Sequence, residues 1–269
     1  MNRIQHLFQL LDAKDEKALI AFIMAGLPDQ SIFLESIDAL EQGGVDLIEL
    51  GVPFSDPVAD GASIERLHHR GVELGLNLNK TLELAAKIRS RTEIPLVLFC
   101  YYNPVFARGS AAFLDDIGSV GLDGIIIPDL PLDELGSMAG RMVKPVPMVA
   151  PSSSDARLTL AGQHDPDFVY CVSVRGVTGT RALPMDEIRS YLGRVRKATD
   201  APRALGFGIH DPKQIAALRD TAEGFVVGSH FANVMVEAEK EGRSIPAALE
   251  REAALLKAPT RRELEARCV

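Results

Sequence analysis

Eight short apolar runs recur along the chain, and each is followed by a stretch in which apolar and polar positions recur with helical spacing. Most of the runs are apolar on both faces, which is typical of parallel strands that are covered on both sides of a sheet. They are too short for buried helices and are closed by Gly, Pro or Asp. The predicted strands cover residues 18–26, 45–52, 94–102, 123–130, 145–150, 167–173, 203–208 and 224–229.

The amphipathic segments between these runs predict helices. Asp211 directly before Pro212, for example, is typical of a helix N-cap followed by proline at the first helical position. An extra helix within about the first 15 residues is expected to cover the bottom of a barrel, and a last helix follows Ser244. The segments between strands cover residues 31–44, 81–93, 110–121, 132–142, 155–164, 184–200 and 211–222.

Strand and helix alternate eight times over the 269 residues, which favours one architecture. The pattern predicts an α/β protein, a (β/α)8 TIM barrel with an extra N-terminal helix. No Pro/Ser-rich linker divides the chain, so residues 1–269 are expected to form a single domain. An open, doubly wound parallel sheet is the alternative that the same pattern allows.

Two loops interrupt the even spacing of strands and helices. The loop after the second strand begins with GVPFSDPVADG (51–61), and the loop after the sixth begins with RGVTGTRALPM (175–185). Loops that follow the strands of a barrel lie at its C-terminal, catalytic face. The length of these two makes them candidate lids over a site.

Composition narrows the possible partners and the compartment. The formal net charge of −8 argues against non-specific binding to nucleic acid or anionic membranes, although backbone N–H groups can still bind a phosphate locally. Three scattered cysteines without CxxC spacing are typical of free thiols in a reducing compartment. The charged N-terminus does not resemble a signal peptide, and no apolar run approaches the roughly 18 residues of a membrane span, so a cytoplasmic protein is expected.

Glycines at the ends of the last two strands predict a phosphate site. Gly206-Phe207-Gly208 ends the seventh strand, and Gly228-Ser229 ends the eighth. Phosphate-binding barrels seat the anion between these two loops and a helix N-terminus. Glycine lets the backbone approach the anion, the Ser229 hydroxyl adds a donor, and the turn at 176–179 is a candidate third wall. A tight turn without a ligand is the alternative for either glycine pair.

Glu49 stands within the second apolar run, where burial of an ionised carboxylate is unfavourable unless it is paired or protonated. Strand alternation places it with Leu47 and Gly51 on one face. If that face lines the barrel, desolvation raises the pKa of Glu49, which then serves as a general acid and base near neutral pH. A structural carboxylate paired with a lysine or arginine is the alternative. Asp60 adds a second carboxylate at the same mouth.

Several motifs together resemble the tryptophan synthase alpha family. The stretch IELGVPFSDPVADG (48–61) is similar to that family's signature, which combines a strand-end glutamate with a long fixed loop. The resemblance implies a TIM barrel that splits indole-3-glycerol phosphate into indole and glyceraldehyde 3-phosphate by retro-aldol cleavage, without a cofactor. It continues in the same order through YYNPVF (101–106), IIIPDLPLDE (125–134), VAPSSSDARL (149–158), YCVSVRGVTG (170–179) and GFGI (206–209).

The resemblance also implies roles for single residues. Glu49 matches the family's acid/base, which protonates indole C3 and helps to deprotonate the glycerol hydroxyl. Asp60 matches the carboxylate that accepts the indole N–H and stabilises the charge that this protonation creates. Tyr170 matches a tyrosine that lines the same pocket, and each predicted wall residue also fits an ordinary core position. The residues that match the substrate site are Phe22, Phe99, Ile127 and Phe207 as walls, Thr178 in the closing loop, and Gly179, Gly208, Gly228 and Ser229 in the phosphate cup.

A partner is implied as well, a beta subunit that uses pyridoxal phosphate and receives indole through a tunnel in an alpha2beta2 complex. Pro53, Asp56, Asn103 and Pro104 match the surface that contacts this subunit. Pyridoxal phosphate is expected only in the beta partner. A standalone indole-releasing lyase and a catalytically weak subunit that activates a beta partner are alternatives. A phosphoribosyl isomerase would share the phosphate cup but does not need the PFSDPVADG loop.

Some positions depart from the family's pattern. Ala62 stands where proline is usual, which predicts a less rigid loop after Asp60. The pair His230-Phe231 replaces a small residue next to the phosphate cup, and its bulk puts the detailed geometry of the cup in question. His210 replaces the usual serine and fits either a phosphate contact or a surface position at a helix start. The pair His68-His69 lies in a helix-like stretch, but neighbouring positions do not share a helix face, so no metal site is predicted.

Overall fold

The computed structural model describes residues 1–138, 143–173, 185–206 and 208–262 of the chain. All strand pairs within these ranges are parallel. The strands are β1 (Ala18–Met24), β2 (Leu47–Gly51), β3 (Leu96–Phe99), β4 (Gly124–Ile126), β5 (Lys144–Pro145), β6 (Met148–Val149), β7 (Val169–Val172), β8 (Arg203–Gly206) and β9 (Gly224–Val227). They form one sheet in the order β5-β4-β3-β2-β1-β9-β8-β7-β6, in which β9, the last strand along the chain, pairs with β1, the first.

The segment of the predicted fifth strand joins the two ends of this sheet. β5 pairs with β4 and β6 pairs with β7. Between them, the Val146 N–H donates to a β4 carbonyl, and the Pro147 carbonyl accepts from the Tyr170 N–H of β7. Pro145 and Pro147 lack the N–H that would continue the ladder, which divides the predicted strand 145–150 into two short pieces. The closed sheet confirms the predicted barrel and excludes the open doubly wound sheet.

The described helices largely follow the predicted segments. The segment 132–142 was predicted as a helix, and Leu132–Met138 forms a 3-10 helix. Asp211 caps its helix as predicted, with Pro212 at the first position. The helices are α1 (Arg3–Ala13), α2 (Gln30–Gln42), α3 (Ala62–Glu73), α4 (Leu78–Arg89), α5 (Tyr102–Arg108), α6 (Ser110–Ser119), α7 (Asp155–Gln163), α8 (Met185–Ala198), α9 (Pro212–Leu218), α10 (Ser229–Lys240) and α11 (Ile245–Lys257).

Three of these helices, α3, α5 and α10, were not among the predicted segments between strands, although the stretch around His68-His69 in α3 was predicted to be helix-like. Their N-caps are Gly61, Tyr101 and Gly228, and none of the three side chains makes a capping hydrogen bond. The sequence therefore carries no polar start signal at these points, although such a signal marks most of the helices that were predicted. All three begin at the C-terminal face of the barrel, directly beside the predicted site.

Two apolar clusters lie on the two faces of the sheet. The outer one packs strand residues such as Ile48 and Leu50 against the helices, and the inner one fills the barrel with residues such as Phe22 and Tyr170. α1 adds Ile4, Phe8 and Leu11 to the inner cluster at the N-terminal ends of the strands. The predicted extra helix therefore closes the bottom of the barrel and leaves the opposite face for chemistry.

The cysteines behave as free thiols where the structure describes them. Cys100 and Cys171 are buried and unbridged, and Cys268 lies outside the described residues. Burial raises the pKa of both thiols, that of Cys171 to about 12, so both stay protonated. In the described part of the chain, no helix has the length and apolar character that crossing a bilayer requires.

Candidate active site

Glu49 lies near the middle of β2, on the face that lines the barrel. It is in register with Phe22 of β1 and Val97 of β3, and both of these residues belong to the inner apolar cluster. The Glu49 side chain is 0% exposed, and neither carboxylate oxygen has a hydrogen-bond partner among the described residues. Glu49 therefore faces the lumen, as the alternation of β2 predicts. The described residues offer it no lysine or arginine, which the structural alternative requires.

Desolvation dominates the chemistry of this carboxyl group. Removal from water disfavours the charged form and raises the pKa of Glu49 from 4.5 to about 8. At neutral pH the group is therefore mostly protonated and holds a proton that it can deliver. A pKa near the working pH also lets the resulting carboxylate take a proton back, which is what a general acid and base requires.

Tyr170 lies on β7 and is buried in the same lumen. Burial raises the pKa of its hydroxyl well above the ordinary value, and the charges of Glu49 and Asp60 raise it further. The hydroxyl therefore stays protonated and serves as a hydrogen-bond donor rather than a base. Both carboxyl groups therefore lie within electrostatic range of this hydroxyl.

The absence of a side chain at Gly206 leaves room for the Tyr170 ring. Gly206 ends β8, beside β7, and a Cβ atom built there would lie 2.3 Å from the Tyr170 Oη and 2.5 Å from its Cζ. Such distances are far below van der Waals contact. The Tyr170 ring can occupy its position only because residue 206 has no side chain.

Asp60 is held by two side chains that the sequence did not indicate as site residues. Tyr101, the N-cap of α5, donates its hydroxyl hydrogen to Asp60 Oδ2 at 2.7 Å and accepts from the Ala59 N–H at 3.0 Å. His68 on α3 places its Nε2 atom 3.2 Å from the same Oδ2. The Asp60 side chain is only 6% exposed as a result. Asp60 is thus a fixed carboxylate and not a solvated turn residue.

A signal for His68 is present in the sequence in retrospect. The buried residues of α3 are Ile64, Leu67, His68 and Gly71, which recur at helical spacing, so His68 is a polar residue on an apolar face. His69, its neighbour, is exposed, in agreement with the expectation that the pair does not share a face. Within the described ranges, no group of three or more His, Cys, Asp or Glu side chains could hold a metal ion.

The glycines of the predicted phosphate cup lie at the ends of β8 and β9. Gly208 has a positive φ of +85°, which glycine adopts readily. Gly228 and Ser229 begin the 12-residue α10, whose first N–H groups lack a capping side chain. Free N–H groups at a helix start favour an anion. Phe207, Thr178 and Gly179, also predicted for the substrate site, lie outside the described residues.

The histidines next to this cup have other partners. His230 on α10 places Nε2 3.2 Å from Glu252 on α11, and Phe231 is buried in the outer cluster. The bulk of these two side chains therefore lies among the helices and not in the predicted phosphate cup. His210 is exposed, and its Nδ1 donates to the Gly208 carbonyl at 2.8 Å, as a residue at a helix start can do.

One predicted wall residue is corrected. Phe22 and Phe99 meet edge to face inside the barrel, with ring centroids 5.4 Å apart. Ile127, by contrast, belongs to the outer cluster, whereas Ile126 belongs to the inner one. Because strand side chains alternate between faces, a shift of one residue moves the side chain from the lumen to the helix layer. Ile126 replaces Ile127 as a candidate wall.

The predicted partner surface is only partly exposed. Asp56 and Asn103 are exposed and Pro104 is half-buried. Pro53 is buried, because Gly71 of α3 packs on it so closely that a Cβ at Gly71 would lie 2.7 Å from the Pro53 Cγ. Pro53 therefore shapes the loop from within and is not a surface residue of this chain. Val58 and Phe106, which were not predicted, are 83% and 70% exposed on the same two segments.

Comparison with known proteins gives a consistent family. A family model described as tryptophan synthase alpha chain matches residues 8–261. The chain is similar to the tryptophan synthase alpha chain of Syntrophomonas wolfei, with 53% identity over 247 residues that cover 92% of this chain and 95% of that protein.

Solved structures show the same likeness. Tryptophan synthase subunit alpha from Legionella pneumophila superposes with a TM-score of 0.89 at 26% identity, over 97% of this chain and 98% of that one. A chain from a structural study of the tryptophan synthase a2b2 complex of Pyrococcus furiosus has a TM-score of 0.79 at 30% identity, over 90% of this chain and 98% of that one.

Proposed function

Because the chain belongs to the tryptophan synthase alpha chain family and is therefore a carbon–carbon lyase of tryptophan biosynthesis, we propose that Glu49, Asp60 and Tyr170 form its active site. The reaction is the cleavage of indole-3-glycerol phosphate to indole and glyceraldehyde 3-phosphate. The observation that carries the assignment is a fully buried carboxyl group, without a partner among the described residues, whose pKa is raised to about 8.

Each step of a retro-aldol cleavage has a residue in this site. Glu49 donates its proton to indole C3, which turns the ring into a cationic leaving group. The bond between C3 and the glycerol chain then breaks, and its electron pair returns to the indole ring. The hydroxyl on the departing carbon becomes the aldehyde and gives its proton to the Glu49 carboxylate. No proton is gained or lost overall, and Glu49 is ready for the next cycle.

Asp60 supplies the negative charge that this sequence needs. Protonation at C3 creates a positive charge that spreads to the indole nitrogen, and a fixed carboxylate near the N–H stabilises it. Tyr170 adds a neutral donor beside both carboxylates, since its hydroxyl stays protonated. The phosphate of the substrate is assigned to Gly208, Gly228 and Ser229, with Gly179 of the loop after β7.

Gly206→Ala tests the place of Tyr170 in this site. The new methyl group would overlap the Tyr170 hydroxyl, so the ring must move, and kcat/KM for indole release is expected to fall about tenfold, as for other misplaced site groups. Steady-state kinetics of the purified variant provide the measurement. Gly193→Ala is the matched control, because a Cβ at that α8 position has nothing within 4 Å. Equal activity of the two variants would show that the position of Tyr170 is unimportant.

A beta subunit is the proposed partner. The similar chain from Pyrococcus furiosus belongs to a tryptophan synthase a2b2 complex, and the present chain exposes Asp56, Asn103, Val58 and Phe106 at the mouth of its barrel. Two largely exposed apolar side chains there are suited to burial in a protein contact. Pyridoxal phosphate is assigned to that partner, because no step of the alpha reaction uses it.

Indole release from indole-3-glycerol phosphate is the experiment that tests the proposed function. The purified chain is expected to release indole slowly alone and faster with its cognate beta subunit. Equal rates with and without the subunit would favour a standalone lyase. No indole under either condition would refute the assignment of this site, and activation of the beta subunit alone would point to a non-catalytic role.

A further inference from the structure

His68 joins the two ends of the loop that carries Asp60. It is the only one of the six histidines with a fully buried side chain, at 0% exposure. Its Nδ1 atom accepts a hydrogen bond from the Phe54 N–H at 3.1 Å, and its Nε2 atom lies 3.2 Å from Asp60 Oδ2. The imidazole ring therefore bridges the beginning of the loop, at Phe54, and its end, at Asp60.

These two contacts fix the tautomer of the ring. A backbone N–H can only donate, so Nδ1 must present its lone pair to Phe54. A neutral imidazole then carries its single ring hydrogen on Nε2, where it points at the Asp60 carboxylate. A doubly protonated ring would place an N–H group against the Phe54 N–H and lose that contact. The geometry thus assigns a neutral His68 that donates to Asp60.

We infer that His68 is a positioning residue, whose neutral ring orients the Asp60 carboxylate toward the indole ring. Because the ring is neutral, Asp60 keeps the negative charge that stabilises the positive charge developing on the indole ring. The inference rests on the role of Asp60 in the proposed function. A lysine or arginine at this place would pair with the carboxylate and weaken its effect on the substrate. A neutral donor orients the carboxylate and leaves its full negative charge available.

Tyr101, the second side chain that holds Asp60, supports this inference. Tyr101 also donates to Oδ2, so both hydrogen bonds end on one oxygen atom. Among the described residues, none donates to Oδ1, which remains for the indole N–H. The Tyr101 ring in turn stacks on Phe54, with centroids 5.0 Å apart, and meets the edge of His68 at 6.0 Å. The loop, its carboxylate and the two anchors form one packed unit.

Two neutral variants separate the halves of the His68 bridge. The side-chain oxygen of His68→Asn can take the place of Nδ1 and accept from Phe54, but this side chain is too short to reach Asp60. The amide nitrogen of His68→Gln can take the place of Nε2 and donate to Asp60. We expect His68→Asn to lower kcat for indole release about tenfold with little change in KM, and His68→Gln to stay within about threefold of wild type.

A purely structural His68 would give a different result. It would make both variants less stable to thermal unfolding, and their rates would fall together. Equal loss of kcat in the two variants, or no loss in His68→Asn, would therefore overturn the inference. Thermal unfolding of both proteins, measured beside the kinetics, shows that the folded enzyme is being compared.

The Asp60→Asn background distinguishes failure of this inference from failure of the proposed function. If His68 acts through the charge of Asp60, adding His68→Asn to Asp60→Asn lowers kcat by less than about twofold, because coupled residues are not additive. A full tenfold loss in that background would overturn the positioning role. Unchanged kcat in Asp60→Asn alone would instead refute the proposed role of Asp60.

The protonation of the His68 ring can be measured in the wild-type protein itself. Nitrogen-15 NMR of the wild-type protein labelled in histidine reports which ring nitrogen is protonated, and the signal of His68 is assigned by its absence in His68→Gln. A bare Nδ1 and a protonated Nε2 are expected. A hydrogen on Nδ1, alone or together with one on Nε2, would overturn the inference even if His68→Asn does not fold.

Discussion

Glu49→Gln is expected to lower kcat for indole release by about 10²–10⁴, the usual contribution of a positioned acid and base. The amide has nearly the shape of the carboxyl group but can neither deliver a proton to C3 nor take one from the hydroxyl. No hydrogen bond within the described residues is lost, because neither oxygen of Glu49 has a partner there. Substrate affinity should therefore change little, and the loss should fall on kcat in steady-state kinetics.

The matched control is Glu65→Gln, which makes the same chemical change at an exposed position in the first turn of α3. This control should retain wild-type kinetics. An active Glu49→Gln variant, with kcat near that of the control, would show that another group moves the proton. A large rise in KM with unchanged kcat would show that Glu49 binds the substrate and takes no part in proton transfer.

The pH dependence provides a second check on Glu49. Since burial raises the pKa of Glu49 to about 8, the proton-donating form of the free enzyme is lost as the pH rises through that value. In the wild type, kcat/KM should therefore be level around neutral pH and fall above pH 8. The residual activity of Glu49→Gln should lack this fall. A wild-type profile without a fall near pH 8 would contradict the role of protonated Glu49 as the proton donor.

The same burial of Glu49 lowers the free energy of unfolding as the pH rises. Its folded pKa of about 8 lies above the unfolded value of 4.5, so the unfolded chain releases the proton first as the pH rises. The free energy of unfolding therefore decreases between these two pH values and levels off above pH 8. Glutamine does not titrate, so Glu49→Gln should exceed the wild type by on the order of 4 kcal/mol above pH 8 and lose that advantage near pH 4. Urea unfolding at both pH values measures this difference.

The sequence predicted the fold well for a physical reason. Strands buried on both sides must be apolar at every position, and that continuous pattern is visible in a single sequence. The division at Pro145 and Pro147 was not predicted, because the whole run 145–150 is apolar and its pairing with two different strands is a tertiary property. α10 was missed, and α3 was predicted only as a helix-like stretch without bounds, because a glycine, which offers no side chain, stands at each N-cap.

Without the family resemblance, a catalytic residue of the proposed site was predictable only where it contradicts its local pattern. Glu49 is such a residue, since a carboxyl group within an apolar strand requires a special environment. His68 and Tyr101 were not predicted because their role depends on contacts with Asp60 across 8 and 41 positions of the chain. Ile127 failed for a simpler reason, since neighbouring strand residues face opposite sides and the sequence does not mark which of two isoleucines points inward.

Asp60→Asn is expected to lower kcat for indole release by about 10²-fold, as for the loss of one preorganised electrostatic group. The asparagine oxygen can still accept hydrogen bonds from Tyr101 and His68, so the loop should keep its conformation. Its amide group, however, carries no charge and turns a donor toward the indole N–H, which is itself a donor. The positive charge created at C3 protonation then has no anion beside it.

The contrast between kcat and phosphate affinity decides what Asp60 does. The phosphate is assigned to Gly208, Gly228 and Ser229, and Asp60 is not one of these residues, so inhibition by inorganic phosphate should be unchanged in Asp60→Asn. The control is Asp200→Asn, which should behave as wild type. Asp200 is exposed and precedes β8, at the opposite face of the barrel. If phosphate affinity falls in step with kcat, Asp60 orients the substrate and does not stabilise charge. Because proton delivery by Glu49 and stabilisation by Asp60 serve the same transition state, the double variant should lose less than the product of the two single effects.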